Sequence, residues 1–184
     1  GFAPLLAGCF SAAVGTSAWL ATAASEERSI KSAATDLAIR TRINGLWFDH
    51  NEALLTRVDI SISEGRVLLT GRVPTQQERL SAVRLAWKAS GVKEVINEIQ
   101  VGRNSTISNF AQDTWITAQI KSNITFDRNI FSINYTIETV NGIVYLIGVA
   151  QNTAEHDRVK QHAANVKFVR NVVSHVRVKT NSGG

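Results

Sequence analysis

Four histidines, one cysteine and fifteen carboxylates are the side chains of this 184-residue chain best suited to proton transfer, metal ligation or nucleophilic attack. His50, His156, His162 and His175 show no i, i+4 pairing and no carboxylate at a metal-ligand spacing, so a metal site has no local scaffold. His156 and His162 share a predicted helix but lie six residues apart and face different sides. Cys9 is the sole cysteine, which excludes an internal disulfide framework and any multi-cysteine zinc or iron–sulfur centre. No Gly-Lys-Ser/Thr phosphate loop and no nucleophile elbow occurs. Asp49, Asp59 and Asp127 read as solvated turn and strand residues. The expectation is a protein that is not an enzyme and carries no cofactor or metal, so its function rests on what it binds.

The elements that position its surfaces come from a repeat. Ser63-Glu-Gly-Arg-Val-Leu-Leu-Thr-Gly71 returns as Val140-Asn-Gly-Ile-Val-Tyr-Leu-Ile-Gly148, an offset of 77 residues without a gap (148 − 71 = 77). Across 36–101 and 113–178 the identities fall on apolar positions and turn glycines, such as Ile39/Ile116, Ile43/Ile120, Gly65/Gly142, Leu69/Leu146 and Gly71/Gly148. The polar identities are few, chiefly Asp36/Asp113 and Glu78/Glu155. A duplicated fold is indicated, not a duplicated active site.

In each copy a helix opening at Asp36 or Asp113 precedes an alternating strand. A two-residue turn follows, Glu64-Gly65 or Asn141-Gly142, and then a second strand ending on a glycine. Val58, Ile60 and Ile62 alternate with Arg57, Asp59 and Ser61, which predicts one buried and one wet sheet face. Thr75 with Glu78, and Asn152 with Glu155, form capping boxes that start a second helix. Gly91 ends that helix in the first copy, and a valine-rich strand closes the unit. The fold class is α+β: two tandem αββαβ units, each with its helices on one face of a small mixed sheet.

The net charge of +5 and pI near 9.7 invite nucleic acid or anionic lipid as partner. Residues 36–101, however, carry only +1 (nine basic, eight acidic) and 113–178 only +2 (seven basic, five acidic). No Lys/Arg run or RNA-binding aromatic motif accompanies the charge, and nucleic acid is not expected. No charged residue precedes Glu26. Leu6-Ala7-Gly8-Cys9 resembles the bacterial lipobox, in which the cysteine thiol takes a diacylglycerol. Residues 1–8 would then be a partial signal peptide, Cys9 the lipidated first residue, and 9–35 an Ala/Ser-rich tether. The alternative is that Phe2 to Ala24 spans a bilayer, for which the segment is long enough but poor in Leu, Ile and Phe.

Two αββαβ units with a glycine in the second strand and a valine-rich last strand resemble the BON domain of bacterial envelope proteins. Behind a lipobox, with Ala12-Ala-Val-Gly-Thr16 after the cysteine and Asp113-Thr-Trp-Ile-Thr117 opening the second copy, the arrangement is similar to the dual-BON, DolP-like lipoproteins of the outer membrane. The organisation expected is BON domain 1 at 36–101, a linker at 102–112, BON domain 2 at 113–179 and a tail at 180–184. The resemblance implies a lipid-anchored protein of the outer membrane that faces the periplasm. It also implies that the second domain contacts anionic phospholipid and that the protein supports envelope integrity. Phe10, after the cysteine, is not the aspartate of an inner-membrane retention signal. The rival readings are a periplasmic protein-interaction module engaging envelope proteins, and a soluble periplasmic stress protein.

The surfaces for such partners are the apolar residues that the repeat does not need. Trp115 stands where the first copy has Ala38. With Lys121 and Arg128 nearby it suits a headgroup layer, and it equally suits packing against the first copy. With the resemblance, the membrane-contact set is Trp115, Ile116, Gln119, Lys121, Ser122 and Arg128. The converse surplus is Leu80, Val83 and Trp87, an i, i+3, i+7 stripe facing Asp157, Lys160 and Ala164 in the alignment. It reads as an interdomain or partner contact.

Overall fold

A computed structural model describes residues 16–102 and 107–180. Cys9, the residues before it and the first part of the expected tether lie outside the described residues. In the first unit, α1 (Thr16–His50) leads through the short α2 (Leu54–Arg57) into β1 (Val58–Ser63) and β2 (Arg66–Val73). Then come α3 (Gln76–Lys88), β3 (Glu94–Asn97) and β4 (Gln100–Val101). The second unit repeats the plan with α4 (Ile107–Phe126), a 3₁₀ turn (Ser132–Asn134), β5 (Tyr135–Val140), β6 (Ile143–Ala150), α5 (Thr153–Ala164) and β7 (Asn171–Val178). Both sheets are mixed: β1 and β5 run antiparallel to β2 and β6, and the last strands pair parallel to them. The closing strand, expected as one piece over Glu94–Val101, is interrupted in the first unit, where the Asn97 side chain accepts the Ile99 amide at 3.2 Å.

Both leading helices begin earlier than expected. α1 starts at Thr16 rather than Asp36, so the part of the tether that is described is helical, and α4 starts at Ile107, inside the expected linker. The physical reason for α1 is its alanine content, since alanine is the strongest helix former and no proline or glycine interrupts Thr16–Ala34. Among the described residues, no helix is long and apolar enough to cross a membrane.

The polar identities of the repeat have a structural use. Asp36 accepts the Glu64 and Gly65 amides at 2.9 Å each, and Asp113 accepts those of Asn141 and Gly142 at 2.7 and 2.8 Å. Each helix thereby clamps the hairpin turn, whose two central residues have φ of 55° and 81° in one copy and 52° and 72° in the other. Thr75 and Asn152 cap the Glu78 and Glu155 amides as expected. The glutamate carboxylates do not reach back to the cap. Glu78 pairs with Arg57 at 3.0 Å, and buried Glu155 accepts the Tyr135 hydroxyl at 2.9 Å and the amides of Phe131 and Gln151. Those partners tie the second helix to the entry of the first strand.

Each unit has its own core between helices and sheet: Ile39, Ile43, Trp47 and Ala82 over Ile60, Val67 and Leu69 in one, Ile116, Ile120 and Val159 over Ile137, Val144 and Leu146 in the other. Trp47 is an anchor, fully buried with its indole N–H donated to the Ala82 carbonyl at 3.2 Å. The other sheet faces are wet only at their edge, where Asp59 stays exposed; over the rest they pack on one another. Leu68, Tyr145 and Ile147 form a third buried cluster, flanked by Ile96, Val140, Ile143 and Val173, and Ser61 is buried with them. Four layers result, in the order helices, sheet, sheet, helices, so the helices of the two units form opposite outer faces.

Candidate membrane-contact face and interdomain interface

On the outer face of the second unit, Trp115 is 43% exposed and meets Phe168 edge to face, with ring centroids 6.0 Å apart and planes at 68°. Phe168 is half exposed, and the Lys167 ammonium sits 4.7 Å from its centroid. Phe168 has φ 71°, the left-handed region. Its counterpart at the 77-residue offset is Gly91, φ 97°. The backbone there favours glycine, and the second copy holds a phenylalanine at a cost of order 1–2 kcal/mol. The second copy thus sets two aromatics that the first copy lacks side by side on its exposed face. The 77-residue alignment carries this signal, since it sets Phe168 against Gly91 as it sets Trp115 against Ala38.

The other members of the expected set divide. Gln119 and Ser122 are exposed on the same ridge of α4 as Trp115, which ends at Phe126, 83% exposed and followed by exposed Arg128. Ile116 is 0% exposed in the core and is not available to lipid, because its position faces the sheet. Lys121 is exposed on a different side of α4, where it lines a cleft between the units. Leu80 and Trp87 are 46% and 52% exposed on α3, whereas Val83 between them is partly buried against the first unit's own core and is not a free surface residue. α3 packs on the face of its sheet opposite to the interdomain interface, so the stripe does not serve as the interdomain contact, and a partner remains its open use.

The interface between sheets has its own polar chemistry. Ser61 donates to Glu138 at 3.2 Å, His175 meets Glu98 at 2.9 Å, and Arg66 donates to the His175 carbonyl at 2.8 Å. Arg177 pairs with Glu64, and Asn141 donates to Gln100 at 2.7 Å. Beside it lie two clefts of about 780 and 520 Å³. The first carries Arg57, Asp59, Arg72, Lys121 and Glu138, whose repeat counterparts Asn134, Thr136, Val149, Asn44 and Ser61 are all neutral. Desolvation at the cleft wall raises the pKa of Glu138 and also that of Asp59, although Asp59 is partly open to solvent; Asp59 raises Glu138 further, while Arg40 acts against the shift in each.

Three histidines are structural partners. His162 bonds Asp127 at 2.9 Å, and that bond is the main cause of the lowered Asp127 pKa. His156 meets Ser174 at 2.8 Å, and burial lowers its pKa. His175 lies at the interface. These contacts join residues far apart in sequence, which spacing alone does not reveal. Among the described residues, no group of three or more His, Cys, Asp or Glu stands ready to hold a metal ion.

The BON domain family model matches residues 35–103 and 112–180. An uncharacterised protein in the gshII 5′ region of Anaplasma centrale is 44% identical over 145 residues, 78% of this chain and 95% of that one. The outer membrane lipoprotein DolP of Haemophilus influenzae is 29% identical over 170 residues, 91% and 87% of the two chains. Osmotically-inducible protein Y of Escherichia coli is 27% identical over 146 residues, 78% and 73%.

Proposed function

The chain belongs to the BON-domain family, and we propose that it is a cell-envelope protein that engages anionic phospholipid through the outer face of its second BON domain. The observation that carries this reading is the Trp115–Phe168 pair with Lys167 beside it. Two half-exposed rings bring apolar area to a headgroup layer, while Lys167 and, at the far end of the α4 ridge, Arg128 supply charge attracted to anionic lipid. Relatedness to DolP supports an outer-membrane location, and acylation of Cys9 would make residence stable where a surface contact alone is marginal. The role that follows is support of envelope integrity from the periplasmic side.

Flotation of the full chain carrying Cys9→Ser with vesicles of graded anionic content tests the headgroup contact without the anchor. Binding that rises with anionic fraction and falls in Trp115→Ala is the expected result; equal recovery of both proteins at every fraction refutes it. Mass spectrometry of the mature protein tests the anchor, and an unmodified Cys9 removes that part of the reading. The whole chain is the right object, because separating the units would expose Leu68, Tyr145 and Ile147. The α3 stripe favours a second, compatible reading. Leu80 and Trp87 lie on the outer face opposite to Trp115, where a protein partner in the envelope has access while lipid occupies the other side.

A further inference from the structure

Several contacts across the interface follow the repeat. Ser61 and Glu138 are counterparts at the 77-residue offset and touch each other; so are Glu98 and His175. Leu68 and Tyr145, also counterparts, share the buried interface cluster. Away from these, one pair of contacts is exchanged, Glu64 with Arg177 corresponding to Asn141 with Gln100, while the Arg66 bond to the His175 carbonyl has no mate. Even the two clefts correspond, Arg57, Asp59 and Gly71 in one matching Asn134, Thr136 and Gly148 in the other. A surface in which position i meets j and j meets i is the mark of a two-fold axis, so the units are arranged as a dimer of one domain joined into one chain.

The positions on that axis have diverged in a complementary way. Two first-unit faces placed together would set Glu98 against Glu98. Two second-unit faces would set Glu138 against Glu138 and His175 against His175; Glu138 would exchange the repulsion of Asp59 and the smaller attraction of Arg40, whose counterparts Thr136 and Thr117 are neutral, for a second Glu138. Like groups opposed on a partly buried axis discriminate against the wrong pairing. We propose that the sheet faces of the two units are selective for each other over themselves, and that a chain deprived of one face takes the complementary face of a second copy of this chain.

Leu68→Asp disables the first-unit face and Tyr145→Asp the second, each in the full chain of 20.1 kDa. Each variant alone is expected to run as a monomer in light-scattering chromatography, and an equimolar mixture to run at twice that mass through the remaining first-unit and second-unit faces. A dimer of either variant alone, or a mixture that stays monomeric, overturns the proposal. A second measurement avoids dependence on those substitutions. The chain is cut after purification at a protease site placed within residues 103–106, and the halves of the otherwise unchanged protein should co-elute. His175→Glu should separate them, and Glu98→His combined with His175→Glu, which exchanges the pair across the axis, should restore co-elution. Halves of the exchanged protein that separate as readily as those of His175→Glu overturn the proposal.

Discussion

Trp115→Ala removes the larger of the two rings on the proposed lipid face, and its effect can be sized from the structure. Trp115 is 43% exposed, so of the roughly 250 Å² that a tryptophan can bury, roughly 110 Å² remains to be withdrawn from water on docking. At about 25 cal/mol per Å² that is roughly 2.7 kcal/mol for full insertion, or a loss of vesicle affinity approaching a hundredfold. Insertion of only half that area leaves a loss of roughly tenfold. The fold should tolerate the change, since alanine favours helix and Ala38 occupies the same site in the first unit. Phe168→Gly should act in the same direction, with roughly 100 Å² at stake, while relieving the left-handed φ of 71°. Because the two rings touch, the double substitution should cost less than the product of the single losses. Flotation across a vesicle titration measures all three proteins, with circular dichroism confirming that each remains folded. Losses below about threefold for both single variants, with the fold intact, would refute the assignment of this face to lipid.

Three further outcomes follow from named contacts. Gly71→Val and Gly148→Val should each lower the thermal midpoint, because an added Cβ would be driven into the carbonyl oxygens of Arg57 and Asn134 at φ of 112° and 151°, with strain of at least about 1–3 kcal/mol; unchanged midpoints would refute the close approach. Glu138 is held above its ordinary value of 4.5, first by burial and then by Asp59. The folded chain therefore binds its proton more tightly than the unfolded chain, and this group's contribution is full below 4.5 and lost as pH rises through the raised value. Glu138→Gln should flatten that decline in urea midpoints, and parallel pH profiles would contradict it. Lys167→Glu, a change of two charge units, should weaken vesicle binding by about 2 kcal/mol at low salt and less at high salt, whereas Lys121→Glu should leave the aromatic contact intact; the reverse order would move the contact towards the cleft.

The repeat, the turn chemistry, the helix caps and the core faces were legible in the sequence because each is a local pattern: alternation in strands, i, i+3, i+4 spacing in helices, glycine at left-handed positions. Duplication strengthened them, since Ile39/Ile116 and Gly71/Gly148 recur at one offset. Other features required the chain to be folded. Alternation in β1 separates two faces but does not distinguish water from a second sheet, so Ser61 read as wet although the second unit covers it. The capping glutamates were placed correctly on their helices, yet which atoms Glu78 and Glu155 reach depends on Arg57 and Tyr135, brought up by other elements. Trp115 was visible as a surplus residue, but its partner Phe168 lies on the loop after α5, and only the packing of that loop beside α4 joins them. Lys121 shares a helix with Trp115, but the opposing unit makes its side the wall of a cleft and not part of the outer face. Local periodicity specifies which side of an element is apolar; what covers that side is decided by the pairing of distant surfaces.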